Sequence, residues 1–237
     1  MSALPLLFVA LMIAANPVLA GTDAAIRKAL TAAIPSAKID SIRPSAVAGV
    51  KEVTLDGKII YVSDDGRHLF QGHLVELGTR KDLTEVKLAG LRKAALEKLG
   101  SDRTIVFKPK IGRYVVWVFT DVECGYCRKL HGEIDQYLAQ GVEIRYLFYP
   151  RAGKESESYA KSVSVWCADD RNAALTQAKR GQDVPKKTCA NPVDEHMALG
   201  ERFGMQGTPL IVTQEGVALP GYVPAAELVK LLAKGAS

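Results

Sequence analysis

Residues 114–130 read YVVWVFTDVECGYCRKL. The run from Tyr114 to Phe119 is almost continuously apolar, the pattern of a strand buried on both faces. Leu130, Ile134 and Leu138 then recur at helical spacing, predicting a helix from about Gly125 to Ala139 that stops at Gly141. Between the two lie Cys124 and Cys127, spaced C-x-x-C, with Cys124 where the helix begins.

Structural zinc wants four ligands, usually as two close pairs, and the other two cysteines, Cys167 and Cys189, are not a close pair. Covalent haem attachment needs His after the second Cys, and that position is Arg128. A dithiol/disulfide redox centre remains. The first-turn N–H groups of a helix have no intrahelical partners, and the macrodipole adds positive potential there, so a thiolate is stabilised. The pKa of a free Cys, near 8.5, falls to roughly 3.5–7.5 in such places. Cys124 is therefore the expected attacking sulfur. Cys127, one turn on and pointing inward, is expected to be less exposed and to resolve a mixed disulfide by intramolecular attack. Arg128 and Lys129 add positive charge and Glu123 opposes it, leaving the sign of the side-chain contribution open.

Downstream, Val142 to Tyr149 reads as a strand. Helical stretches follow at about Ser156 to Arg180 and Val193 to Phe203, then strands at Leu210 to Thr213 and Val217 to Leu219 around Glu215-Gly216, and a last helix opened by Pro224. This is an α/β plan. Upstream, a short helix ended by Pro35 precedes strand-like runs at Val50 to Leu55, Ile59 to Val62 and His68 to Leu77. Asp56-Gly57 and Asp64-Asp65-Gly66 separate them as hairpin turns. So small a meander, roughly sixty residues, gains from a partner subunit over an open sheet edge. Asp82, with Glu85 three residues on, opens a helix that ends at Gly100. Six basic residues against two acidic ones between Val86 and Pro109 read as a solvated helix joining two domains, not a nucleic-acid site.

The 237 residues are 48% hydrophobic and 24% charged with a net charge of +5, which excludes a disordered or low-complexity chain and a basic nucleic-acid tail. Leu4 to Leu19 carries no charge, and its apolar core gives way to Asn16-Pro17 and then Val18-Leu19-Ala20. A core too short to span a bilayer, with small residues before Gly21, predicts a secretory signal peptide over residues 1–20 and no stable membrane insertion. The mature chain then enters an oxidising compartment. There Cys167, on an apolar helical face with Val163, Val165 and Trp166, and Cys189, after a polar loop, are expected to bond to each other as a structural disulfide. A second redox pair feeding the first is the sharper alternative.

Val118-Phe119-Thr120-Asp121 followed by Cys124-Gly125-Tyr126-Cys127, with Gly207-Thr208-Pro209 further on, resembles the thioredoxin-like superfamily, and most closely its periplasmic DsbC/DsbG family. The likeness extends to Lys129-Leu130-His131, the second Cys pair, the Asp64-Asp65-Gly66 turn and Pro220-Gly221-Tyr222. It implies a thioredoxin-like catalytic domain over residues 110–237 and a linker helix and connector over 82–109. Residues 21–81 would form a small N-terminal α+β, cystatin-like dimerisation domain. It also implies a homodimer whose active sites face a common apolar cleft, and a cis bond between Thr208 and Pro209. A cis proline exposes the backbone of the residue before it, so Thr208 and Pro209, with Gly125 and Tyr126, are the expected substrate-binding residues beside Cys124. Thioredoxins carry a buried acid six residues before the first Cys; here Val118 stands there, and no proton acceptor for Cys127 is identified. His131 reads as a satisfied helix histidine, with a redox-modulating role as the rival reading.

The activity implied is isomerisation and reduction of incorrect disulfides in misoxidised secreted proteins. Cys124 and Cys127 form the redox-active pair, a DsbD-type membrane reductase supplies electrons, and no metal, organic cofactor or nucleic acid takes part. Two rivals stand beside it: a DsbG-like reductase of sulfenylated cysteines, against which Gly125 argues because those relatives carry Pro-Tyr between their cysteines, and a mainly non-catalytic chaperone.

Overall fold

The computed structural model describes residues 17–235, with side chains from Thr22 onward. Residues 1–16 of the expected signal peptide lie outside the described residues; no described helix is long and apolar enough to cross a membrane. The chain forms two compact units that meet at Gly72–His73.

In the first unit helix α1 (Pro17–Ala33) precedes an antiparallel meander of β1 (Ile39–Pro44), β2 (Val50–Leu55), β3 (Lys58–Ser63) and β4 (Leu69–Phe70). Ile26 and Leu30 of α1 pack on Val53, Ile60 and Val62, the alternate residues of one sheet face. Strand β1 is not legible in the sequence: it is an edge strand of mixed polarity that ends on Pro44, tolerated there because an edge leaves one side of the ladder unpaired.

The run His68 to Leu77 is not one strand. Gly72, at a φ of 148°, breaks it. Leu69–Phe70 stays with β3, while β5 (Val75–Glu76) pairs with β6 (Lys81–Asp82) in the second unit. The His73 ring bonds Asp82 at 2.6 Å and Leu74 N–H donates to Thr84 Oγ1 at 2.8 Å. Residues 73–81 are thereby tied to the helix that follows, not to the meander.

Helix α2 (Leu83–Leu99) has Asp82 as its N-cap, accepting from Glu85 N–H at 2.9 Å, and Gly100 as its C-cap. The expectation of a solvated linker helix needs correction. Ala89, Arg92, Leu96 and Leu99 are buried, and Leu96 and Leu99 belong to a core cluster with Trp117, Phe119, Leu147, Leu199, Leu210 and Val212. Arg92 tolerates burial because it makes a bidentate pair with Glu85 at 2.7 and 2.8 Å and donates to Gly216 O at 2.9 Å. Helix and hairpin approach so closely that a Cβ on Gly216, at a φ of +85°, would fall 1.9 Å from Ala89 O.

The central sheet has the order β11-β10-β8-β9-β7, from β7 (Ile105–Phe107), β8 (Tyr114–Thr120), β9 (Val142–Phe148), β10 (Leu210–Thr213) and β11 (Ala218–Pro220). Strands β8 and β9 are parallel and the other pairs antiparallel. The edge strand β7 falls inside the stretch read as linker and connector, so the sheet starts before residue 110. Alternation along β8 sends Val116 and Val118 into one core and Trp117 and Phe119 into the other, which is why its sequence is apolar throughout.

The helix after β8 is interrupted: α3 (Gly125–Gly132) and α4 (Ile134–Ala139) meet at Glu133, whose φ/ψ of −103/15° is not helical. The stretch 156–180 likewise divides into α5 (Glu157–Trp166) and α6 (Arg171–Lys179), each with its own N-cap. Ser156 accepts from Tyr159 N–H and Asp170 from Ala173 N–H. Helices α7 (Val193–Arg202) and α8 (Ala225–Gly235) complete the unit.

Candidate active site

Strand β8 ends at Thr120, and Asp121, Val122 and Glu123 turn the chain so that Cys124 becomes the N-cap of α3. Cys124 and Cys127 are both free thiols. Cys127 is buried as expected, and Cys124 is more enclosed than expected, at 4% exposure. The Cys124 thiol donates to Thr208 O at 3.2 Å. The loop that brings Thr208 there ends in a cis bond to Pro209, just before β10. Gly125 is exposed and Tyr126 is 65% exposed, so Tyr126 presents an aromatic ring beside the sulfurs. Cys124, Cys127, Gly125, Tyr126, Thr208 and Pro209 are thus gathered at one place.

The two thiols differ in acidity. Burial alone pushes the Cys124 thiol up; hydrogen bonds from the Thr208 side chain, the Cys127 amide and the Cys127 thiol, with the positive charge of Arg151, outweigh it and bring the pKa below its ordinary value. The Thr208 hydroxyl is buried with no other partner, leaving it able to donate to the sulfur once charged. For Cys127, deeper burial wins and the pKa is raised, although Lys179, the Thr120 hydroxyl and the Asp121 amide all oppose it. One sulfur is poised as nucleophile and leaving group, the other as a later attacker.

Of the flanking charges, Glu123 pairs with Arg128 at 2.5 Å and with Lys161 at 2.8 Å, and the cation that acts on Cys124 is Arg151. Arg151 is held near the thiols by Asp121, through its Nε at 3.2 Å and its backbone N–H at 3.0 Å. Ser158 Oγ and Glu123 N–H also donate to Asp121. Desolvation pushes the Asp121 carboxyl up, but these donors hold it below the usual carboxylate range.

His131 sits in the core between Tyr146 and Thr176, at 3.1 and 3.0 Å, and burial with the charges of Lys179 and Arg180 lowers its pKa to about 4. It is a neutral, satisfied histidine. Val118 is packed in the apolar core, so the position six residues before Cys124 supplies no acid. Sequence reasoning missed Lys179, which is 4% exposed and donates to Thr120 Oγ1 at 2.5 Å and Asp121 O at 2.9 Å. Its register is the signal: Leu175, Ala178 and Lys179 fall on one helical face, and the first two are core residues.

Cys167 and Cys189 are bonded to each other and join the C-cap of α5 to the loop before α7. They are not part of the thiol site. Among the described residues no group of three or more His, Cys, Asp or Glu could hold a metal ion.

A thioredoxin-like sheet carrying a C-x-x-C dithiol at a helix N-terminus, with one thiol acidified and the other suppressed, defines a thiol–disulfide oxidoreductase. Residues 18–85 match the family described as the disulfide bond isomerase protein N-terminal domain, and residues 102–236 the thioredoxin-like domain. The chain is 37% identical over 228 residues to the thiol:disulfide interchange protein DsbC of Dickeya dadantii, covering 95% of this chain and 93% of that protein. To its Escherichia coli namesake it is 37% identical over 211 residues, covering 89% and 87%. A crystal structure of a disulfide interchange protein from Neisseria gonorrhoeae superposes with a TM-score of 0.51 at 32% identity, over 57% of this chain and 96% of that one. The chain belongs to the DsbC family of thiol:disulfide interchange proteins.

Proposed function

We propose that the protein rearranges incorrect disulfides in secreted proteins within the periplasm. The Cys124 thiolate attacks one sulfur of a substrate disulfide, a mixed disulfide forms, and the other substrate sulfur leaves as a thiolate. That thiolate then attacks another disulfide of the substrate, and the substrate thiolate so freed attacks the substrate sulfur of the mixed disulfide, releasing Cys124 as thiolate; alternatively Cys127 attacks Cys124 Sγ, closing the Cys124–Cys127 bond and releasing a reduced substrate. Thr208 and Pro209, with Gly125 and Tyr126, hold the extended substrate segment beside the sulfur. The observation that carries the reading is the position of Cys124: N-cap of α3, hydrogen-bonded to Thr208, with its pKa below that of an ordinary thiol.

The resting pair is reduced, with electrons from a DsbD-type membrane reductase. Residues 1–20 direct export and are removed. The N-terminal domain, from residue 21 to Gly72, pairs two copies into a homodimer, and the unit from His73 onward, with α2 and β7 built into it, is the catalytic domain. The Cys167–Cys189 bond is structural. The DsbC family membership supports this set of roles.

The test is refolding of a scrambled multi-disulfide substrate by the wild-type protein and by the Cys124→Ala/Cys127→Ala double variant, with suppression of aggregation measured in parallel. Loss of refolding by the double variant supports the catalytic reading; refolding that survives contradicts it and leaves a chaperone. Sedimentation of the intact protein tests the homodimer.

A further inference from the structure

Lys179 is a lysine buried beside a redox centre without a carboxylate bonded to its ammonium. Its Nζ donates to the Thr120 hydroxyl oxygen at 2.5 Å and to the Asp121 carbonyl at 2.9 Å. Thr120, fully buried, faces Cys127 and its hydroxyl favours the charged form of that sulfur. The Asp121 side chain is saturated by Ser158, Glu123 N–H and Arg151. Burying an ammonium costs free energy that a hydroxyl and a carbonyl do not fully offset, and burial accordingly brings the Lys179 pKa down to about 8 despite the opposing pull of Cys127, Asp121 and Cys124. Such a group exchanges its proton near neutrality.

We propose that Lys179 is the proton acceptor of the resolving thiol, acting through the Thr120 hydroxyl as a buried relay from Cys127. This rests on Cys127 being the resolving cysteine. With Lys179 neutral, the Cys127 S–H donates to Thr120 Oγ1 and the Thr120 O–H donates to Nζ. Transfer of both protons along this line leaves Cys127 as thiolate and Lys179 as ammonium, with Thr120 unchanged. The thiolate attacks Cys124 Sγ of the mixed disulfide, the Cys124–Cys127 bond forms, and the substrate sulfur departs with the electron pair. The two enzyme sulfurs are oxidised, the substrate disulfide is reduced, and the proton rests on Lys179 until water or the departing thiolate takes it. The relay supplies from α6 what Val118 cannot supply from β8.

Other groups face this line. Cys124 caps α3 and Arg128 and His131 lie on it, Asp121 is on the turn before it, Tyr146 on β9, Arg151 after β9, and Arg180 at the C-cap of α6. His131 is neutral above about pH 4, and burial raises the Tyr146 phenol well above its ordinary value, so neither titrates near neutrality. Of these, only the two thiols and Lys179 can shape a profile between weakly acid and weakly alkaline pH.

The experiment mixes reduced protein with a coloured aromatic disulfide in a stopped-flow instrument across pH. Attack by Cys124 releases one aromatic thiolate, and attack by Cys127 on the adduct releases a second. Cys127→Ala must abolish the second phase; if that phase persists, the parent assignment of Cys127 fails. With the phase assigned, Lys179→Met and Thr120→Val are expected to move its pH profile upward by about one unit, roughly tenfold slower at neutral pH, with the alkaline plateau retained. Thr120→Ser restores the hydroxyl and the wild-type profile. Profiles that superimpose on wild type, or slowing by one factor at every pH, overturn the relay. Should Lys179→Met not fold, the Thr120→Val and Thr120→Ser pair decides alone.

Discussion

Cys124 Sγ and Thr208 O lie 3.2 Å apart although 84 residues separate them in sequence. The contact couples the Cys124 sulfur to the loop before β10, so the backbone proposed to hold the substrate lies against the group whose charge changes. The neutral thiol donates to the Thr208 carbonyl, and the Thr208 hydroxyl, unpartnered until then, donates to the thiolate. Thr208→Val removes only that donor. A charge-assisted hydrogen bond contributes about 1.5–3 kcal/mol, so the rate of Cys124 alkylation at neutral pH should fall roughly tenfold with the fold intact. An unchanged rate would remove Thr208 from the set of groups that stabilise the thiolate.

The Cys167–Cys189 bond closes a separation of 22 residues and has a different task. Cys189 is exposed and Cys167 half-buried, and both sulfurs are taken up in their mutual bond. Replacing both by Ala should lower the unfolding free energy by about 3 kcal/mol in the chain-entropy model, read from urea midpoints. The rate of Cys124 alkylation should not change. A slowed alkylation with unchanged stability would instead support a second redox pair.

Two buried histidines set the acid limit of the fold. Burial lowers the pKa of His131 and of His196 to about 4. His196 is held as one tautomer, its Nδ1 accepting from Phe148 N–H at 3.1 Å and its Nε2–H donating to Arg103 O at 2.8 Å. A second proton there would break the Phe148 bond. Unfolded histidines titrate near 6.5, so between about 6.5 and 4 the unfolded chain binds more protons. Their contribution is complete above that window and declines as pH falls through it, by about 1.4 kcal/mol per pH unit for each histidine. Urea midpoints across this range should show the decline, and His196→Gln should remove about half of its slope, leaving the His131 share; a midpoint independent of pH would contradict the assignment.

Arg92 is the charged anchor of α2. Arg92→Ala leaves Gly216 O without its donor and Glu85 without its partner, and should cost about 2 kcal/mol of stability. Thermal unfolding measures it, and a change within a few tenths would show that the buried apolar face of α2 suffices.

What the sequence made legible follows from periodicity. Residues 114–130 carry their strand and helix start because an apolar run and a C-x-x-C pair are local signals, and Asp82 and Gly100 mark α2 by capping. Strand β1 and the split of 68–77 escaped because edge strands need not be apolar and a glycine break leaves little trace. Contacts across the fold were hidden too. Arg92 looks like any surface arginine until Gly216 meets it, and Lys179 looks solvated until Thr120 and Asp121 are brought under α6. The same holds for Thr208, whose distance from Cys124 is short only in three dimensions.

The central claim is that Cys124 is ionised where an ordinary thiol is not, because an open helix end, Thr208 and Arg151 stabilise its charge. Its rate of carboxamidomethylation, followed against pH by mass spectrometry of the labelled peptide, measures this directly. The account predicts a midpoint clearly below the value of about 8.5 for a free cysteine, with Cys127 unlabelled over the same range. A midpoint at or above that of a free cysteine, or labelling of Cys127 first, would contradict it.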